Sequence, residues 1–338
     1  LKFHIILEAN STPDQIAELA QLAESYDIAG IWSSNMHDSR DPFINFVEAA
    51  RVTKKIKFGP VAVSPYELHP LKMANSLLTL NEISGGRAQI GVGAGDGGTA
   101  TAMGIKAVRR VRAARECVEI IEAAATGEPV KYKGEMYSVM YYHSSWVTQP
   151  PPDVYVCAGG PQMIASSAKY AQGIYLGDHL PHHVARVTEV VKTEHKKIGR
   201  SDPNFRLLNF WAWHVKEDQD AARAEARIWL AMRATPWPQY YHHDILEPDE
   251  MQIVYDNIMA INQAFYKRDP NITAVPMELL DRLVDKCSAT STLANIDHEI
   301  ERIKKFEAAG LTDIVLRLYD KPDNSIKVIG EKVMPAFA

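Results

Sequence analysis

A chain of 338 residues has room for two average domains or for one large α/β barrel. Its 46% hydrophobic and 23% charged residues, with 19 Gly and 19 Pro, exclude a disordered, collagenous or low-complexity chain. A net charge of -5 argues against a general nucleic-acid binder, and no apolar run approaches the roughly eighteen residues of a membrane span.

The first hundred residues alternate strand and helix signals. Lys2–Leu7 reads as a strand, and Ser11 or Thr12 caps a helix whose Ile16, Leu19, Leu22 and Ala23 share a stripe. Strands are predicted over Ala29–Ser33, Ile56–Val63 and Ala88–Ala94, with helices over Phe43–Thr53 and Pro70–Ile83 between them. A helix over Val108–Ala125 follows, then strand Val154–Ala158, helix Pro161–Ala171, strand Gly173–Gly177, helix Val184–Ile198, strand Arg206–Val215 and helix Asp218–Met232. The alternation breaks over residues 234–290, where Pro, aromatic and His clusters precede helical pattern; we read this as an insertion. Leu293–Ala309, Asp313–Leu318 and Asn324–Phe337 restore helix, strand and helix. Apolar, non-alternating strands imply a parallel sheet covered by helices, and eight of them imply one closed (β/α)₈ barrel spanning residues 1–338.

Cys117, Cys157 and Cys287 stand far apart, with no CxxC pair and no His at zinc spacing, so neither a disulfide framework nor a metal site is expected. Together with the absence of a charged leader before Leu7, this fits a reducing cytoplasm.

Several constellations can carry chemistry. Gly93–Gly98 formally satisfies G-x-G-x-x-G, but the next clear helix waits until about Val108, which disfavours a dinucleotide fingerprint. The glycines, Gly95 among them, suit either close approach to a bound planar ligand or a tight turn. Ala158, Gly159 and Gly160 close a strand and open a helix, a ready anion site unless they form an ordinary loop. Arg109, Arg110 and Arg112 crowd a helix start, where something anionic or plain solvation must compensate them. Glu8 and Asp96 end strands one and four on the rim where barrel enzymes collect their chemistry, as general acids or bases or as caps and ion-pair partners. Asn35, Met36, His37 and Asp38 follow strand two on the same rim; His37 is a candidate catalytic or structural imidazole. The aromatics around Phe210–Trp213 and Tyr141–Trp146 either wall a pocket or, by default, fill core.

Five stretches resemble a known family: Leu1–Asn10, Phe58–Pro70, Ala88–Ile105, Val154–Ala171 and Glu301–Phe337. They are similar to the luciferase-like (β/α)₈ flavin and deazaflavin oxidoreductases, in particular the coenzyme F420-dependent branch, and in the N-terminal half to the methylenetetrahydromethanopterin reductases. The resemblance implies hydride transfer between reduced F420 and a small organic acceptor, such as a pterin imine or methylene, a carbonyl or an alkene, in a homodimer or larger homo-oligomer. It implies that Val61 and Ala62 form a β-bulge with a non-prolyl cis peptide behind the deazaflavin ring. It also implies that Ala158, Gly159 and Gly160 bind phosphate, that Asn35 and Gly95 face the cofactor, and that Asp96 lies near the reacting carbon. Where family members commonly show Asp-His, this chain has Asn35-Met36, and where the reductases carry a glutamate it has Ile6, with Glu8 two residues on. The alternatives are an FMN-dependent monooxygenase on the same scaffold and a flavin-binding sibling without turnover.

Overall fold

The computed structural model describes residues 1–95, 97–234 and 244–338. Strands β1 (Lys2–Leu7), β2 (Gly30–Ser34), β3 (Lys57–Val63), β4 (Gln89–Val92), then β5 (Val130–Lys133) and β6 (Ser138–Tyr142), β7 (Asp153–Cys157), β8 (Gly173–Gly177), β9 (Arg206–Ala212) and β10 (Asp313–Arg317) alternate with helices. All but β5 and β6 join in one closed barrel, in the order β1-β10-β9-β8-β7-β4-β3-β2. Every pairing in it is parallel, and closure comes from β1 lying on β10 with Lys2 opposite Asp313 and Ile6 opposite Arg317. The strands are apolar on both faces because one face fills the barrel and the other meets helices; β4 and β10 are buried at every residue.

Local chemistry sets the helix boundaries. Helix α1 (Pro13–Ser25) begins at Thr12, whose side chain accepts from Gln15 N–H at 3.2 Å while Gln15 accepts from Thr12 N–H at 2.9 Å. Its buried stripe is Ile16, Ala17, Ala20 and Ala23, so Leu19 and Leu22 fall at its margin instead. Helix α2 is shorter than the pattern suggests, Val47–Val52, because Ile44–Phe46 forms a 3₁₀ turn first. Helix α3 is Pro70–Ile83. Helix α4 (Gly97–Ala102) starts inside the glycine cluster, at its last two glycines, although the sequence pattern places no helix before about Val108; poor helix formers at its start hid it.

Helix α5 (Arg110–Ala125) leads into the antiparallel β5–β6 hairpin, which lies outside the barrel and which the sequence pattern did not show. Glu116 holds its turn by accepting from the N–H groups of Glu135, Met136 and Tyr137 at 2.8–2.9 Å. Glu135 in that turn pairs with Arg109 and Arg112, which supplies the anion the arginine run requires. Tyr141, His143 and Trp146 are exposed on or beside this hairpin, so they are neither core nor pocket wall.

Helices α6 (Pro161–Tyr170), α7 (Pro181–Ile198) and α8 (Gln219–Ile228) follow. Between β9 and β10 the chain makes not one helix but several: α8, Ala231–Ala234, Pro248–Asp256, Ile258–Lys267, Met277–Cys287 and Ile296–Ala308. Leu230, Ile261, Leu280, Leu283 and Val284 are essentially unexposed in a second apolar cluster of their own. Fully burying one such side chain contributes about 1.5–3 kcal/mol, enough to hold these helices together beside the main core. No helix among the described residues is long and apolar enough to cross a membrane.

Candidate active site

The C-terminal ends of the barrel strands open into a cleft of about 720 Å³. Its floor is the upper barrel interior, with Ile6, Val61, Tyr175 and Phe210, and one wall comes from the β9–β10 helices through Trp229, Arg233, Phe265, Tyr266 and Arg268. Strand ends supply Glu8, Ser34, Cys157, Ala158 and Asp178. A second cavity, about 590 Å³, lies at the N-terminal end around Lys57, Gln89, Asp153, Arg206 and Asp313. Barrel enzymes carry their chemistry at the C-terminal face, where loops vary freely on a fixed frame, so the first cleft is the candidate site.

Its most distinctive backbone is at β3. The Val61–Ala62 peptide is cis, as the family resemblance implies, and the β3–β4 register shifts between Val61 and Val63. Asn35 fastens this bulge: its N–H donates to the Val61 carbonyl at 2.9 Å, and Nδ2 donates to Glu67 Oε2 at 2.6 Å and the Ala62 carbonyl at 3.4 Å. Across the mouth, Gly160 precedes α6, whose N-terminus has no side-chain hydrogen bond among the described residues, unlike α1 with Thr12 or α8 with Asp218. Among the described residues, a side chain built on Gly159 or Gly160 would meet no atom within 4 Å, so packing against them does not demand glycine there. Backbone N–H groups at such a helix start favour an anion.

Glu8, Asn35, His37, Val61, Ala62, Ala158 and Gly159 all line the cleft. His37 sits exposed at its rim. Gly160 and Gly95 are not among the lining residues; Gly95 has φ +86 and packs its Cα side toward Ala107 and Tyr66, a turn that needs glycine. Asp96 lies outside the described residues. Ile6 and Glu8 both reach the cleft, as the two-residue repeat of a strand requires. Of the β9 aromatics, Phe210 lines the cleft whereas Trp211 is wholly buried against Phe306 in the helix layer.

A polar network that the sequence pattern did not reveal backs the cleft. Arg317 Nη2 lies 3.1 Å from Glu8 Oε1, and Nη1 donates to Ser34 Oγ and the Leu7 carbonyl, both at 2.8 Å. Arg233 donates to Asp178 Oδ2 at 3.1 Å and to the Tyr319 hydroxyl. Asp178 and Arg233 side chains are each 7% exposed. Burial pushes the Asp178 carboxyl up to about 7, a rise that the Arg233 charge only partly opposes. Burial likewise pushes the neighbouring His179 imidazole down to about 4, so it is neutral near pH 7. Beside the cleft, Nε2 of His182 and of His183 lie 2.9 and 2.6 Å from Asp244 Oδ2. Leu180 N–H donates to His183 Nδ1, so His183 Nε2 carries a proton and donates to the carboxylate; it is not presented as a metal ligand.

The family model for luciferase-like monooxygenases matches residues 2–313. The chain belongs to this luciferase-like family. It is 30% identical over 339 residues to the 5,10-methylenetetrahydromethanopterin reductase of Archaeoglobus fulgidus, covering 99% of each chain. An F420-dependent glucose-6-phosphate dehydrogenase of Nocardia farcinica is 23% identical, over 90% of this chain and 87% of that one. The solved structure of the coenzyme F420-dependent tetrahydromethanopterin reductase from Methanopyrus kandleri superposes with a TM-score of 0.85 at 23% identity, covering 100% of this chain and 99% of the other, and shares its barrel fold.

Proposed function

We propose that this chain is an F420-dependent oxidoreductase that moves hydride between reduced 5-deazaflavin and a small organic acceptor, of the pterin methylene or imine, carbonyl or alkene class. What carries the reading is one conjunction in a single cleft: the β3 bulge at Val61–Ala62 on one wall and, on another, Ala158 and Gly159 leading into α6, whose N-terminus has no side-chain hydrogen bond among the described residues. The first offers flat backbone to a planar ring, the second an anion site for a phosphate tail. The full-length likeness to the Archaeoglobus reductase supports it. Val61 and Ala62 would back the ring, Asn35 would fix the bulge, and Ala158, Gly159 and Gly160 would hold the phosphate. When bound, the deazaflavin supplies the hydride chemistry; the protein supplies alignment and exclusion of water.

The family description favours one second reading, an FMN-dependent monooxygenase. Titrating the purified protein with oxidised F420 and with FMN, then mixing each reduced cofactor with acceptor or oxygen, separates the two. Tight F420 binding and oxygen-independent oxidation of reduced F420 by an acceptor are expected; FMN binding with oxygen consumption would reverse the assignment.

We further place the chain in the cytoplasm as a homodimer or larger homo-oligomer with residues 1–338 as one domain and 234–290 an insertion walling the cleft. Three free cysteines and the cleft contacts of Phe265, Tyr266 and Arg268 support this, and light scattering on the purified protein reads the oligomeric state.

A further inference from the structure

The buried carboxyl at the end of β8 has no task in the site described so far. Asp178 follows the last residue of β8 with φ +54, a left-handed backbone that non-glycine residues seldom adopt and that recurs at functional sites. It lines the cleft. Oδ2 accepts from Arg233, while Oδ1 is buried with no hydrogen-bond partner among the described residues. Buried carboxylates ordinarily fill their acceptor positions with donors, so an idle oxygen beside a ligand cavity points to a partner that arrives with the ligand. Glu8, the other carboxyl at a described strand end in this cleft, also has a buried oxygen without a hydrogen bond, Oε1, but that oxygen lies 3.1 Å from Arg317 Nη2 and its side chain is 34% exposed against 7% for Asp178.

On the reading of this chain as a hydride-transfer oxidoreductase, we propose that Asp178 is a catalytic residue, the general acid that protonates the acceptor's heteroatom. A bound reduced deazaflavin would supply the hydride that forms a C–H bond at the carbon of the acceptor's C=O or C=N group, and the π pair moves to the heteroatom. There the O–H bond of Asp178 breaks as an O–H or N–H bond of the product forms. The acceptor is reduced, the deazaflavin oxidised, and Asp178 is left as a carboxylate beside Arg233, which is already placed to hold the charge. A proton from solvent in the cleft restores the acid; in the oxidative direction the same group is the base.

The groups that surround Asp178 are consistent with a carboxyl that can serve in both forms. Arg233 faces it from helix Ala231–Ala234, Tyr319 from the end of β10, Tyr175 from β8 itself, and Cys287 from the end of helix Met277–Cys287, while Arg317 and Glu8 act on Tyr319 behind it. Among the described residues the formal charge in direct contact is that of Arg233, and burial outweighs it, leaving the carboxyl poised near neutrality.

The test uses the full chain with F420 and a carbonyl or imine acceptor. Asp178→Asn is expected to lower kcat for acceptor reduction by roughly 10²–10⁴-fold, the range for losing a general acid, while the F420 dissociation constant changes little. The wild-type rate is expected to fall above about pH 7, and this limb to be absent from the variant. In the cofactor-free protein labelled with ¹³C-aspartate, a carboxyl resonance titrates near pH 7 and is missing from the variant. Full turnover in Asp178→Asn, a surviving pH limb, or no aspartate titrating near neutrality each overturns the proposal. If the asparagine variant does not fold, Asp178→Glu replaces it: a lower kcat with a displaced limb is expected, and an unchanged profile overturns the role. Failure of the wild type to bind F420 sinks the cofactor reading instead, and the carboxyl titration still decides whether position 178 holds such an acid.

Discussion

Each mouth of the barrel buries an aspartate against an arginine, and the two aspartates are displaced in opposite directions. At the N-terminal mouth, Asp313 Oδ1 lies 3.0 Å from His4 Nε2 and accepts from Arg206 Nη2 at 2.6 Å; Oδ2 accepts from Arg206 Nε at 2.8 Å and Thr312 Oγ1 at 2.6 Å. Trp32 Nε1 donates to His4 Nδ1 at 3.3 Å, which leaves the His4 proton on Nε2, directed to Asp313. Burial alone would raise this carboxyl, but the hydrogen bonds from His4 and the Arg206 charge outweigh it and hold Asp313 well below the usual carboxylate range. At the C-terminal mouth Asp178 has one donor and an idle oxygen, and burial wins. Donor count, not residue type, separates a carboxylate locked into the scaffold from one left available for chemistry.

That contrast can be broken at several points. The largest effect is expected lower in the barrel, at Gly59, where an added Cβ would lie 1.6 Å from the Gln89 carbonyl oxygen, backbone against backbone. Gly59→Ala should fail to accumulate as folded protein or lose more than about 4 kcal/mol, whereas Gly177→Ala at the upper rim, with no atom within 4 Å, should stay within about 0.5 kcal/mol in urea denaturation. Equal losses at both would mean that strand spacing is no tighter below than above.

Next comes Asp313→Ala, expected to cost about 3–5 kcal/mol near pH 7 because it leaves Arg206 without its partner. Here the sign differs between mouths. The depressed Asp313 group contributes stability that is present above its unfolded value near 4 and lost as pH falls further. The raised Asp178 group does the reverse: the wild type loses stability as pH climbs from about 4 to about 7. Denaturation of wild type and Asp178→Asn at pH 5 and pH 8 should therefore show the variant gaining by roughly 2 kcal/mol relative to wild type at the higher pH. A difference that does not move with pH would place the Asp178 carboxyl in the ordinary range.

Smaller still is Gly159→Val, which fills the open space before α6. F420 affinity should weaken at least tenfold, about 1.4 kcal/mol, with unfolding unchanged, and an unaltered dissociation constant would move the phosphate elsewhere. The smallest change is expected for Glu8→Gln: it lines the cleft but already faces Arg317, so kcat/KM should fall less than about tenfold. A loss larger than that of Asp178→Asn would exchange the two roles.

Much of this was legible from residue order. The eight apolar runs became the eight barrel strands, Thr12 became a cap, and Glu8, Val61, Ala62 and Gly159 came to line one cleft. Other features were hidden for identifiable reasons. The β5–β6 hairpin carries its signal in two short runs flanking Gly134–Tyr137, but its strands pair with each other and lie outside the βα rhythm. The rule that drew attention to Glu8, an acid at a strand's C-terminal end, applies equally to Gly177-Asp178, and no motif singled that site out.

The sequence by itself determined much of the local order: which segments form the barrel strands, where α1, α3 and α6 start, and that a parallel sheet must be covered on both faces. Those properties depend on side chains a few residues apart, through the two-residue period of a strand, a cap three residues from its partner, and glycine where φ is positive. Only the tertiary structure decided which charges are neutralised and which remain available. Arg233 reaches Asp178 across 55 residues, Arg206 reaches Asp313 across 107, and Arg317 reaches Glu8 only because β10 closes on β1. Ionisation responds to burial and to donors within a few ångströms, and barrel closure, which brings the two ends of the chain together, sets both.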